Sequence, residues 1–150
     1  MHQKLLGMKD IKYFYEKHPG TGILEPDTPL IGKRFSEVIN ECKIFVTTGN
    51  MVYRNFAPKY VEIMASGSCL FANKPLDADV VGLIDGFNYV EINENNICDK
   101  VRYYLKHDNE RLKIVSNAYQ FVMEKYSCYA QANYLYKQLV MRMNIRLQED

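Results

Sequence analysis

Short apolar runs that alternate with longer segments of helical period limit this chain's fold more than any other feature. KIFVTTG (43–49), SCLFANK (68–74) and YVEI (89–92) are brief and almost wholly apolar, and turn residues close them. IKYFYEK (11–17), rich in aromatic and β-branched residues and halted by HPGTG (18–22), predicts a further strand. Strands buried on both faces belong to parallel sheets, whose crossovers lay helices over each side. The sequence therefore predicts an α/β fold: a Rossmann-like, doubly wound parallel sheet of about four strands, finished by C-terminal helices, in one domain over 1–150.

The helical segments support that layout. In LIGKRFSEVINEC (30–42), Ile31, Phe35, Val38, Ile39 and Cys42 share helical spacing. LDADVVGLI (76–84) is a less regular helical piece. DGFN (85–88) is a turn signal before the last strand. Beyond Asn93 the chain reads as three helices, about 94–107, 109–126 and 128–147. Ile97, Val101, Tyr104 and Leu105 form the inward stripe of the first. Leu112, Val115, Ala118 (or Tyr119) and Val122 form that of the second.

APKYVEIMASG (57–67) raises a sharper question. At about 100° per residue, Tyr60, Ile63, Met64 and Gly67 fall on one face with Val61 and Ala65 beside it. Lys59, Glu62 and Ser66 share the remaining arc. Pro58 suits the first helical turn, and Gly67 suits a helix that ends tightly against the next strand. Glu62 is then the single acidic group on a mostly buried helix, either a solvated partner of Lys59 or a ligand for something else.

Composition narrows the classes of function. The chain has 150 residues, 47% apolar and 25% charged, with a formal net charge of +1. Its basic residues are scattered, whereas a nucleic-acid surface needs a concentrated basic face. No apolar run approaches the roughly 20 residues of a membrane span, and MHQKLLGMKD is too polar for a secretory signal. Cys42, Cys69, Cys98 and Cys128 lack the spacing of a zinc or redox pair, and His2, His18 and His107 are far apart. The expectation is a cytoplasmic protein with reduced, mostly packing cysteines and no bound metal.

In parallel α/β sheets, ligands bind where strand carboxyl ends meet helix amino termini. Here the loops at that edge are HPGTG, TTGNMVYRNFAPK (47–59), NKPLDAD (73–79) and the turn after YVEI. They are rich in groups suited to phosphates and hydroxyls.

Pro58-Lys59-Tyr60-Val61-Glu62-Ile63-Met64-Ala65-Ser66-Gly67, with a strand after it, resembles the P-x-K-x-x-E-x-x-A-x-G region of group 1 glycosyltransferases of the GT-B fold. The proline stands one place nearer the lysine than in many relatives. Leu83-Ile84-Asp85-Gly86-Phe87-Asn88-Tyr89-Val90 resembles their dG-x-N turn and last strand. KVRYYLKHDNERLKIVSNAYQFVMEKYSCYAQA (100–132) is similar to their closing helices. The resemblance covers about residues 40–140.

It implies the C-terminal, donor-binding half of a GT-B enzyme, which binds a nucleotide-diphosphate sugar for glycosyl transfer to a hydroxyl and needs no metal or other cofactor. Glu62 would accept hydrogen bonds from ribose hydroxyls. The amino terminus of its helix, near Ala57 to Lys59, would face the diphosphate. Lys59 is otherwise a solvated first-turn lysine. Arg54 stands where many retaining members carry a second glutamate, and a phosphate contact suits it.

Thr48 and the Gly49 amide would contact the donor, though a turn after Thr47 also explains them. Tyr53 would stack on the base. Gly67 completes the motif. The catalytic residue is unknown. His18, following a predicted strand, is a candidate for phosphate contact or proton transfer, or else caps its loop.

The family's basic pair in the first βα unit has no counterpart, and the chain has no room for an N-terminal acceptor-binding domain. The alternative is a non-catalytic Rossmann-like module or remnant that acts only with a partner subunit, and it predicts an exposed apolar surface. A flavodoxin-like domain fits less well, because no Ser/Thr-rich phosphate loop follows the first strand.

Overall fold

The computed structural model describes residues 2–15, 32–48 and 55–149. The elements run α1 (His2–Leu6), α2 (Gly32–Glu41), β1 (Ile44–Thr47), α3 (Pro58–Ala65), β2 (Cys69–Ala72), α4 (Ala78–Val81), β3 (Val90–Glu91), α5 (Ile97–Lys106), α6 (Asp108–Lys125) and α7 (Cys128–Glu149). The three strands form one parallel sheet in the order β1-β2-β3. Ile44 to Thr47 align with Cys69 to Ala72, and Phe71 and Ala72 align with Val90 and Glu91.

β2 is the central strand, and all four of its residues are buried. Successive side chains of a strand point to opposite faces, and β2 divides between two cores on that rule. Leu70 and Ala72 join Ile39 of α2, Tyr60, Ile63 and Met64 of α3, and Ala118, Phe121 and Val122 of α6. Cys69 and Phe71 join Leu5 and Met8, Val90 and Ile92, and Ile97 and Val101 of α5. α6 reaches both layers, since its Ile114 lies in the second. Each fully buried aliphatic or aromatic side chain here contributes about 1.5–3 kcal/mol. The result is a Rossmann-like α/β architecture with helices on both faces of a parallel sheet.

The sequence differs from the structure at three places. Residues 11–15 of the predicted strand 11–17 are irregular, and 16–17 lie outside the described residues. Ile11 and Tyr13 pack on the second layer while Phe14 and Tyr15 face outward. That alternation imitates a strand, but no ladder forms. In α6 the inward stripe is Arg111, Ile114, Ala118, Phe121 and Val122, whereas Leu112 and Tyr119 are exposed. The phase is set by Arg111, whose guanidinium is drawn inward to Asp108 Oδ1 at 2.9 Å and the Lys43 carbonyl at 3.3 Å. The short α1, not foreseen, packs Leu5 on the second layer, and Met8 follows it there.

Asn88 is 1% exposed. Its Nδ2 donates to the Gly82 carbonyl at 2.9 Å and its Oδ1 accepts from the Ile84 amide at 2.8 Å. Gly82 (φ +92°) and Gly86 (φ +73°) supply the left-handed conformations that let this turn close. Asp85 then accepts the Glu91 amide at 2.6 Å and meets Lys100 at 3.3 Å. The DGFN segment is thus a latch that delivers the chain into β3. Among the described residues no helix is long and apolar enough to cross a membrane.

Candidate functional site

The carboxyl edge of the sheet is marked by Thr47, Ala72 and Glu91, which lie in register across the three strands. α3 starts at that edge and runs back to the amino end of β2. Its entry is fixed from two sides. The Phe56 amide donates to Asp77 Oδ1 at 2.8 Å, which ties α3 to the start of α4. The Phe56 ring lies 5.5 Å from Tyr60 and 5.4 Å from Tyr126, centroid to centroid, which ties it to the end of α6. Such aromatic pairs add about 0.5–1.5 kcal/mol beyond the area they bury.

The first turn of α3 is left open. Ala57 is its N-cap residue in extended conformation, and no side chain caps it. Pro58 has no N–H, and the Tyr60 amide folds back onto the Ala57 carbonyl at 2.9 Å. The amides of Ala57 and Lys59 donate to none of the described residues. An uncapped amino terminus with a free amide carries partial positive charge and attracts anions.

Lys59 sits on that turn, half-buried. It has no ion pair among the described residues, and desolvation lowers its pKa below the ordinary lysine value. A cation that is partly stripped of water without a counter-ion is a costly arrangement unless something negative arrives. Three residues on, Glu62 is exposed, and its carboxylate has no partner among the described residues. The i,i+3 pair with Lys59 is not made. Tyr60, between them in sequence, is fully buried, and its hydroxyl finds no hydrogen-bond partner. Burial, then the nearby Asp77 carboxylate, raises its pKa.

Lys59, Glu62 and Thr48 belong to the same βα unit, with Thr48 partly buried just past the end of β1. Gly67 lies at the opposite edge. With φ +80° it follows the end of α3, where Asn40 Nδ2 donates to the Ser66 carbonyl at 2.7 Å, immediately before β2. Its place is that of a helix stop, and a Cβ there would come within 3.2 Å of Asn40 Nδ2. His18, Gly49, Tyr53 and Arg54 lie outside the described residues. Sequence reasoning missed Asp77, whose only local signal is its position before α4. Among the described residues, no three His, Cys, Asp or Glu side chains gather as a metal site would require.

A parallel α/β sheet with an uncapped helix, an unpaired lysine and an unpaired glutamate at its ligand edge defines a Rossmann-like domain with a candidate anion- and hydroxyl-binding edge. The sequence profile of the glycosyl transferase-like family matches residues 15–137. The chain belongs to that family. No curated protein and no solved structure matches it.

Proposed function

We propose that the chain is the donor-binding half of a GT-B glycosyltransferase and binds a nucleotide-diphosphate sugar for transfer of its glycosyl group to a hydroxyl. The observation that carries this reading is the pairing, one helical turn apart, of a desolvated lysine without a counter-ion and an exposed carboxylate without a donor. Lys59 and the free amides of the first turn would offset the diphosphate charge, with no metal called upon. Glu62 would take two ribose hydroxyls. Thr48 stands at the adjacent strand end to contact the donor, and Arg54, Gly49 and Tyr53 complete the proposed site from the loop between. Four free cysteines fit a cytoplasmic setting.

A second reading, a module that acts only with an acceptor-binding partner subunit, draws on one observation. Leu76 and Val80 are 72% and 88% exposed beside Asp77, an apolar surface next to the proposed cleft.

Calorimetric titration with UDP, GDP, ADP and their sugars tests the first reading. Saturable binding by one base series is expected. Charge-assisted hydrogen bonds are worth about 1.5–3 kcal/mol, so Glu62→Ala should weaken it by roughly 10- to 100-fold. Lys59→Ala should weaken diphosphates while sparing the nucleoside. Unchanged affinity in Glu62→Ala, or no binding by the folded chain, overturns the reading.

A further inference from the structure

α7 is far more apolar on its surface than a solvated helix. Its first nine residues, CYAQANYLY, carry no charge. Tyr129 is 83% exposed, Tyr136 65%, Leu135 59%, Leu139 54% and Met143 63%. The helix is tied to the body near its start, where Gln131 Nε2 donates to the Lys125 carbonyl.

Tyr129, Ala132, Tyr136, Leu139 and Met143 are spaced 3, 4, 3 and 4 residues apart. That spacing forms a continuous seam, and such seams bury themselves against a second helix at a shallow crossing angle. The pattern is also self-complementary. In an antiparallel pair centred on Tyr136, Tyr129 meets Met143, the small Ala132 leaves room for Leu139, and the two Tyr136 rings meet at the two-fold axis. A two-fold interface requires this reciprocity, in which residue i contacts j and j contacts i.

Area sets the strength. At roughly 200 Å² for a tyrosine and roughly 100 Å² for an aliphatic side chain, the exposed fractions of Tyr129, Leu135, Tyr136, Leu139, Val140 and Met143 leave roughly 500 Å² per copy. Two copies would bury about 1,000 Å², the size at which specific interfaces begin. Depletion of charge with enrichment in tyrosine and methionine is the composition of an interface core.

We infer that α7 is a dimerisation helix, and that its apolar seam is covered by the antiparallel α7 of a second copy of this chain. The inference stands apart from the donor-binding reading.

Sedimentation equilibrium of the full chain from about 1 to 200 µM tests it. The expected result is a mass that rises with concentration from 17.5 kDa towards twice that value. Tyr136→Glu, which places two carboxylates at the axis, and Leu139→Glu should each raise the dimer dissociation constant at least tenfold. Tyr134→Glu makes the same change at a residue 62% exposed and about 160° round the helix, and it should leave the dimer intact. Circular dichroism confirms that each variant is folded.

A chain that stays monomeric throughout overturns the inference. If that monomer instead sediments with phosphatidylserine vesicles, or pairs with a different protein domain, the face belongs to that occupant. A dimer indifferent to both seam variants also overturns it, by placing the interface elsewhere.

Discussion

Replacing Asn88 by alanine should cost more stability than any other single change to the 82–88 turn. The side chain is 1% exposed and makes two hydrogen bonds, giving one to the Gly82 carbonyl and taking one from the Ile84 amide. Alanine removes both partners and supplies none. A buried backbone group without a partner costs about 1–3 kcal/mol, and the turn is only partly shielded, so the lower half of the range applies to each. The expected loss is about 2–3 kcal/mol. With a urea m-value of about 2 kcal/mol/M, the midpoint should fall by roughly 1–1.5 M.

Asn88→Asp separates the two bonds. It keeps an acceptor for the Ile84 amide, loses the donor to the Gly82 carbonyl, and buries a charge. Its destabilisation relative to the parent should therefore shrink as pH falls and the carboxyl takes up a proton, because the acid can donate again. Urea denaturation followed by far-UV circular dichroism at pH 7 and pH 4 measures both variants. A midpoint shift below roughly 0.3 M for the alanine variant would show that water replaces the side chain at no cost, and the latch argument fails.

Two further outcomes follow from named environments. Hydrogen bonds from Arg111 and then Lys43 hold the Asp108 carboxyl below its ordinary pKa of 3.8. The stability it contributes is present above that value and lost as pH falls through the lower folded-state pKa. Thermal unfolding between pH 6 and pH 2 should thus be less pH-dependent in Asp108→Asn, and an unaltered profile refutes the assignment. Burial pushes the Cys69 thiol up to about 12, whereas Cys128 is exposed. Iodoacetamide at pH 8 should modify Cys128 in the native chain and leave Cys69 untouched until it unfolds, as peptide mass spectrometry would show.

Much of the frame could be read from the sequence because its signals are local. The runs at 43–49 and 68–74 contain β1 and β2, since near-total apolarity in four or five residues leaves few alternatives to a buried parallel strand. The wheel of 57–67 placed Tyr60, Ile63 and Met64 inward and Glu62 outward, as found. Failures came where distant partners decide. Nothing within 11–17 tells that its alternating aromatics meet a helical layer rather than a neighbouring strand. The phase of α6 depends on Lys43, which is 68 residues away from Arg111. Asp77 reaches the Phe56 amide across 21 residues. Its carboxylate is indistinguishable in sequence from that of Asp79, which instead pairs with Lys74 at the surface.

The two edges of the sheet handle their polar groups differently, and the contrast bears on function more than any single contact does. At the amino edge, Lys43, Asp108 and Arg111 satisfy one another, and Asn40 closes the end of α3. The Ser68 hydroxyl is the buried exception there. At the carboxyl edge, the start of α3 is braced by Asp77, Phe56 and Tyr126, yet its own polar groups stay unpaired: the Lys59 ammonium, the Glu62 carboxylate and the Tyr60 hydroxyl. Bracing the backbone costs ordering entropy, and leaving a partly buried cation unpaired costs desolvation. Folding alone rewards neither expense at an exposed helix start. A ligand with a negative group for the lysine and hydroxyl donors for the carboxylate offsets both, because a prearranged site gives up little further entropy on binding.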